Sequence, residues 1–182
     1  MTGTENERLL HKVVPYADDW PYRFRQLAAL LLEEVPGALD VEHIGSTAVP
    51  GMQGRDILDV ELLVESVADE ESYEAPLRRL GFRRFSPQHI AGLDLRVFVP
   101  ADGSGRVHLH VCEEGSPQHR RHVAVRDYLR QHPEVARQYE AVKREAALAA
   151  DGDRASYSRG KGGFVQDLEA EALRWQGESC EG

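Results

Sequence analysis

The chain has 182 residues, 41% of them hydrophobic and 29% charged. That is enough for one compact core with a helical extension, too little for two ordinary independent domains, and unlike disordered or fibrous sequences. A net charge of −9, from 22 Lys and Arg against 31 Asp and Glu, argues against a large nucleic-acid partner, because such a surface repels a phosphate backbone.

The same charge is compatible with a single nucleotide held through a metal ion and a few local arginines, and it suits a cationic small molecule better still. No apolar run reaches bilayer length, and the first residues lack the basic start and apolar stretch of a signal peptide, so a cytoplasmic protein with no membrane partner is expected. Cys112 and Cys180 lie too far apart in sequence to suggest a disulfide framework or a metal cluster.

Trp20, Phe24, Leu27 and Leu31 recur at steps of four, three and four, the spacing of one helix face, and Val35-Pro36-Gly37 marks the stop. Val41 to Ile44 reads as a short strand running into Gly45-Ser46-Thr47 and a turn at Val49-Pro50-Gly51. Ile57 to Val64 has the composition of a buried strand, and Asp59 and Glu61, two positions apart, project from one face of it. Tyr73, Leu77 and Leu80 suggest a helix that Pro76 starts or kinks and Gly81 ends. Leu93 to Val99 and Arg106 to Cys112 follow as strands joined by a hairpin connection over 100–105. In the second, Val107, Leu109 and Val111 alternate with His108 and His110. Beyond Pro117 the pattern is helical, over roughly 118–130, 134–150 and a last helix reaching Trp175. The expectation is an α/β core over 1–115, C-terminal helices over 116–176 packed on it as one domain, and a loose tail over 177–182.

An Asp-x-Glu strand about a dozen residues after a strand ending in Gly-Ser has a physical purpose. Two carboxylates on one face can hold divalent ions that bridge triphosphate oxygens, while glycine admits the phosphates close to the backbone and Ser46 with neighbouring N–H groups bonds them. A solvated strand edge is the alternative for an isolated Asp-x-Glu. Here Val60, Leu62 and Val64 fill the opposite face and Leu63 joins the acid face. That pattern suits a central strand, where acids need a metal or a cationic partner.

His43-Ile44-Gly45-Ser46-Thr47-Ala48-Val49-Pro50-Gly51-Met52, Ile57-Leu58-Asp59-Val60, His108-Leu109-His110-Val111, Arg126-Asp127-Tyr128-Leu129-Arg130, and Tyr157 with Lys161 together resemble the GrpB family over nearly the whole chain. The resemblance implies the nucleotidyltransferase fold shared with DNA polymerase beta, a mixed sheet flanked by helices, and an active-site frame without a single reaction; the paired acids are what lead us to expect Mg²⁺ or Mn²⁺ as cofactor and a nucleoside triphosphate as substrate. Where the family has Ala-Lys-Pro before the acidic strand, this chain has Gly54-Arg55-Asp56; the positive charge survives, though arginine is not equivalent to lysine at a phosphate. Enzymes of this fold use a third carboxylate on a nearby strand. Asp94, with Arg96 on its face, is one candidate for that place, and His110, ahead of His108, is the other, as metal ligand or general base.

The expected site therefore has Asp59, Glu61, His110 and Asp94 as catalytic candidates, with Asp59, Glu61 and His110 as metal ligands. Gly45, Ser46, Thr47, Arg55, Arg96, Arg126 and Lys161 are phosphate contacts, and His43, His108 and Tyr157 complete the set. Lys161 lies in register with an apolar stripe through Tyr157, Phe164, Leu168, Ala172 and Trp175, so its ammonium either snorkels outward, reaches an anion or makes a structural ion pair. The expected activity is transfer of a nucleoside monophosphate to a small hydroxyl- or amine-bearing acceptor. A binding protein built on the same cleft and an ATP-dependent ligase-like enzyme are the alternatives.

Overall fold

The computed structural model describes residues 12–85, 96–150 and 153–180. They fall into two compact units, one of Asp18–Ile44 and Ile57–His119, the other taking in the described residues of Met1–Ala17, Gly45–Asp56 and Arg120–Gly182. The units do not follow a single cut near residue 115. Gly45–Asp56 belongs with the C-terminal helices, because Val49 and Met52 join their apolar core.

The first unit is a sheet covered by helices on one face. Its first helix, α1 (Trp20–Glu34), has a proline in its first turn and ends where the Val35 N–H donates to Leu31 O. Five strands follow in sequence: β2 (Asp40–Ile44), β4 (Leu58–Val64), β5 (Phe82–Phe85), β6 (Val97–Pro100) and β7 (Val107–Glu113); in space they lie in the order β2-β4-β7-β6-β5. Strand β4 is antiparallel to β2 and parallel to β7, while β6 is antiparallel to both β7 and β5. The architecture is the mixed α/β sheet expected.

Alternation then fixes the faces. Val41 and His43, Val60, Leu62 and Val64, Leu109 and Val111, and Phe98 share one side, where the His43 ring stacks on Phe24 of α1 at 4.6 Å and Tyr73 meets Phe98 edge-on. A short helix, α2 (Glu74–Arg79), holds Pro76 in its first turn and Leu77 in the core, and Gly81 stops it with φ 83°. The strand β5 after it was not foreseen; Phe82-Arg83-Arg84-Phe85 carries too few apolar residues to stand out. Of the expected strand over 93–99, the residues from Val97 onward form β6 and the first lie outside the described residues.

In the second unit Val13–Val14 (β1) pairs with Gly54–Arg55 (β3). The helices are α3 (Pro117–Gln131), whose first turn belongs to the sheet unit, α4 (Pro133–Ala150) and α5 (Arg154–Cys180). Proline opens both α3 and α4, where its missing N–H costs nothing. Met52, Tyr128, Leu129, Ala136, Leu168 and Ala172 form the core, with Phe164 and Trp175 packed against it, so the expected stripe of α5 faces inward. Gly160 lets α5 approach α4, since a Cβ there would meet the Ala146 Cβ at 3.1 Å. The loose tail expected from Gly177 is helical as far as Cys180; a lone glycine costs a helix only about 1 kcal/mol, and no proline interrupts it.

Two buried tyrosines give this fold an alkaline limit. Burial raises the Tyr73 phenol above its usual 10.0, reinforced by Glu70 and opposed by Arg96, and its O–H donates to Val67 O at 2.7 Å. Burial and then Glu171 raise Tyr128 in the same direction. Groups whose folded pKa is raised bind protons more tightly in the native state, so their stabilisation is complete below pH 10.0 and is lost as pH rises toward the folded values. Thermal melts should show the midpoint falling above that pH, with tyrosinate absorbance lagging behind that of the unfolded chain; a midpoint unchanged by alkali would refute the assignment.

Candidate active site

The side of the sheet opposite α1 carries the acids. Antiparallel pairing puts Ile44 beside Asp59 and Glu42 beside Glu61. Parallel pairing on the other flank puts His108 beside Asp59 and His110 beside Glu61. The expected clustering of two acids and two imidazoles on one face of a central strand is therefore present, with half-buried Glu42 added to it.

The two acids sit in different surroundings. The Asp59 side chain keeps 29% exposure, and its Oδ1 lies 3.1 Å from His108 Nδ1. Glu61 is fully buried; its Oε1 accepts from the Cys112 thiol at 3.2 Å and its Oε2 lies 3.0 Å from Nδ1 of His119 in the first turn of α3. A carboxylate taken out of water needs such partners, because an unpaired buried charge is costly. His119 and Cys112 were missed from sequence, and His108, the less favoured of the two imidazoles, contacts Asp59.

Among the described residues, no group of three or more His, Cys, Asp or Glu side chains is arranged to hold a metal ion. A clamp in which Asp59 and Glu61 share a cation does not fit this arrangement, since both Glu61 oxygens are engaged. Asp59 would be the carboxylate left to hold Mg²⁺, an ion that commonly takes one or two carboxylates and draws its other ligands from phosphates and water.

The chain leaves β2 at Gly45, whose φ of 70° and ψ of −169° belong to a region only glycine occupies without strain. It then enters a 3₁₀ turn over Ser46–Ala48, with Ser46 half-buried and Thr47 buried. Arg130 secures that turn by donating from Nε and Nη2 to Ala48 O at 3.1 and 2.9 Å. Gly45→Ala should cost about 1–3 kcal/mol of stability from backbone strain. Urea unfolding checks this, and a change under 0.5 kcal/mol, roughly the ordinary surface value, would contradict it.

The expected phosphate contacts fall in both units. In the helical unit Arg55 and Lys161 both lie over the buried Tyr157 ring, at 4.9 and 5.8 Å from its centroid. Close by in sequence, Gln53 is clamped on both backbone groups: its O accepts from the buried Lys143 Nζ at 2.5 Å, and its N–H donates to Glu140 at 2.5 Å. Lys143, unflagged by the sequence, holds the Gln53 carbonyl from α4. Arg126 forms a two-pronged contact with its neighbour Asp127 at 2.7 and 3.0 Å. Arg96 reaches Glu70 at 3.3 Å, on the Tyr73 side of the sheet and away from the acids. His43 is likewise on the helix-covered face. Asp94 lies outside the described residues.

Comparison with known proteins places this arrangement in a family. The family model described as GrpB protein matches residues 11–171. The UPF0157 protein PA4798 of Pseudomonas aeruginosa is 36% identical over 180 residues, covering 94% of this chain and 71% of that protein. The UPF0157 protein YqkA of Bacillus subtilis is 29% identical over 91% of this chain, but the chain spans only 48% of that relative's length. The crystal structure of conserved protein GrpB from Enterococcus faecalis is similar with a TM-score of 0.80 and 28% identity, covering 91% of this chain and 99% of that one. The chain belongs to the GrpB family.

Proposed function

We propose that the chain transfers a nucleoside monophosphate from a nucleoside triphosphate to a small hydroxyl- or amine-bearing acceptor. The observation that carries this reading is the position of Asp59: a part-exposed carboxylate on an interior strand, next to His108 on one flank and, on the other, Ile44, after which the chain enters the glycine-serine turn. A Mg²⁺ ion on Asp59 would neutralise triphosphate charge. In the sheet unit the chain orients that carboxylate through His108; in the helical unit the turn after Gly45, with its backbone N–H groups and the Ser46 hydroxyl, is itself suited to phosphate oxygens. Arg55 and Lys161 supply further positive charge in the helical unit, and the net charge of −9 favours a cationic acceptor.

The test is incubation with each of ATP, GTP, CTP and UTP, Mg²⁺ and a metabolite pool, with mass-resolved detection of nucleotidylated products. Product formation in the wild type but not in Asp59→Ala supports the reading. Activity unaffected by that substitution sinks it. The engagement of both Glu61 oxygens favours a second reading, a nucleotide-binding protein without turnover. Calorimetric binding of a triphosphate that is indifferent to Mg²⁺, with no product, would select it. Free AMP with a coupled product would mark an ATP-dependent ligase-like enzyme instead.

A further inference from the structure

The buried side of the acidic pair gives His119 a chemical identity of its own. Glu61 is 0% exposed, with one oxygen 3.2 Å from the Cys112 sulfur and the other 3.0 Å from His119 Nδ1. The thiol donates to Oε1. Where Glu61 is a carboxylate it only accepts hydrogen bonds, and the imidazole then gives Nδ1–H to Oε2. A neutral imidazole with its proton on Nδ1 is left with a lone pair on Nε2. His119 keeps 16% side-chain exposure, whereas Glu61 has none, so the imidazole and not the carboxylate is what this site offers to a ligand. The backbone fixes it too, because the His119 N–H donates to Ser116 Oγ at 3.2 Å in the first turn of α3.

We infer that Glu61 is a positioning residue rather than a metal ligand, and that His119, held by it in the Nδ1–H tautomer, is the base that receives the acceptor's proton. The chemistry rests on the transfer reading above, although the geometry does not. The acceptor oxygen or nitrogen forms a bond to the α-phosphorus as the bond from that phosphorus to the bridging oxygen breaks and pyrophosphate leaves with the electron pair. The acceptor's proton moves to His119 Nε2, and the resulting imidazolium is balanced by Glu61. The imidazolium then releases the proton to solvent. The Asp-x-Glu pair is thus divided: Asp59, with 29% side-chain exposure, would hold the cation that neutralises triphosphate charge, and Glu61 serves the imidazole.

Long-range ¹H–¹⁵N spectra of the full chain, recorded where histidine is neutral, test this directly, with His119 identified by the signals lost in His119→Gln. The Nδ1–H tautomer is expected in the wild type, reverting to Nε2–H in Glu61→Leu. In parallel, Mn²⁺ with ATP is titrated into the wild type, Glu61→Gln and Asp59→Asn. Glu61→Gln should hold Mn²⁺ within about twofold of the wild type and Asp59→Asn at least about tenfold more weakly. An Nε2–H tautomer in the wild type, or a loss of Mn²⁺ in Glu61→Gln as large as in Asp59→Asn, overturns the inference. If the wild type binds no Mn²⁺, the metal-dependent reading falls and the tautomer alone decides this one. If Glu61→Leu does not fold, the wild-type spectrum and the Glu61→Gln titration still decide.

Discussion

Asp59→Asn is expected to lower nucleotidyl transfer by on the order of 10²–10³-fold while leaving the protein folded. The amide has the same shape but no charge, so it cannot hold a divalent cation against triphosphate, a loss of roughly 3–4 kcal/mol of transition-state stabilisation. Stability should change little, because the side chain is 29% exposed and water can replace what the substitution removes at Oδ1. Initial rates at saturating triphosphate and thermal melts of the same preparations separate the two effects. A rate within about threefold of the wild type, well short of what a lost cation ligand costs, would count against Asp59 as the reacting carboxylate.

His119→Ala is expected to remove the proposed base and, unlike Asp59→Asn, also to have a large effect on stability. It leaves the fully buried Glu61 carboxylate with the Cys112 thiol but without the stronger imidazole donor, which should cost about 2–4 kcal/mol. The double variant His119→Leu with Glu61→Leu should recover much of that loss, because apolar groups of similar volume need no partner. Urea unfolding of the single and double variants tests this. If the double variant is as unstable as the sum of its single changes, the pair is not the source of the cost.

How far the sequence went can be read from these residues. Alternation over β4 put Asp59 and Glu61 on one face and marked the strand as central, because that inference uses only the two-residue period. Which imidazole meets which acid depends on whether β7 runs parallel or antiparallel to β4, and periodicity is silent on direction. The parallel register sets His108 against Asp59 and moves His110, the favoured candidate, beside Glu61. His119 was not legible because it contacts Glu61 across 58 positions and lies in a polar stretch, Ser116 to His122, with no apolar rhythm to orient it. Arg130 and Lys143 were obscured differently. Each acts on a backbone carbonyl, Ala48 O or Gln53 O, and backbone groups carry no residue signature. The Tyr157 to Trp175 stripe was legible, since every partner it needs is set by one helical period.

The parallel pairing of β4 with β7 also governs when the protein can come into being. Asp59 and His108 are 49 positions apart, and a parallel neighbour cannot be reached by a tight turn, so the intervening chain must be in place before this ladder closes. Folding should accordingly be slow for a protein of this size, in the millisecond-to-second range typical of non-local topologies. On the ribosome, Glu61 must wait in water until His119 has emerged. A nascent chain stopped before α3 would contain all five described strands of the sheet and still lack the imidazole that meets Glu61 Oε2.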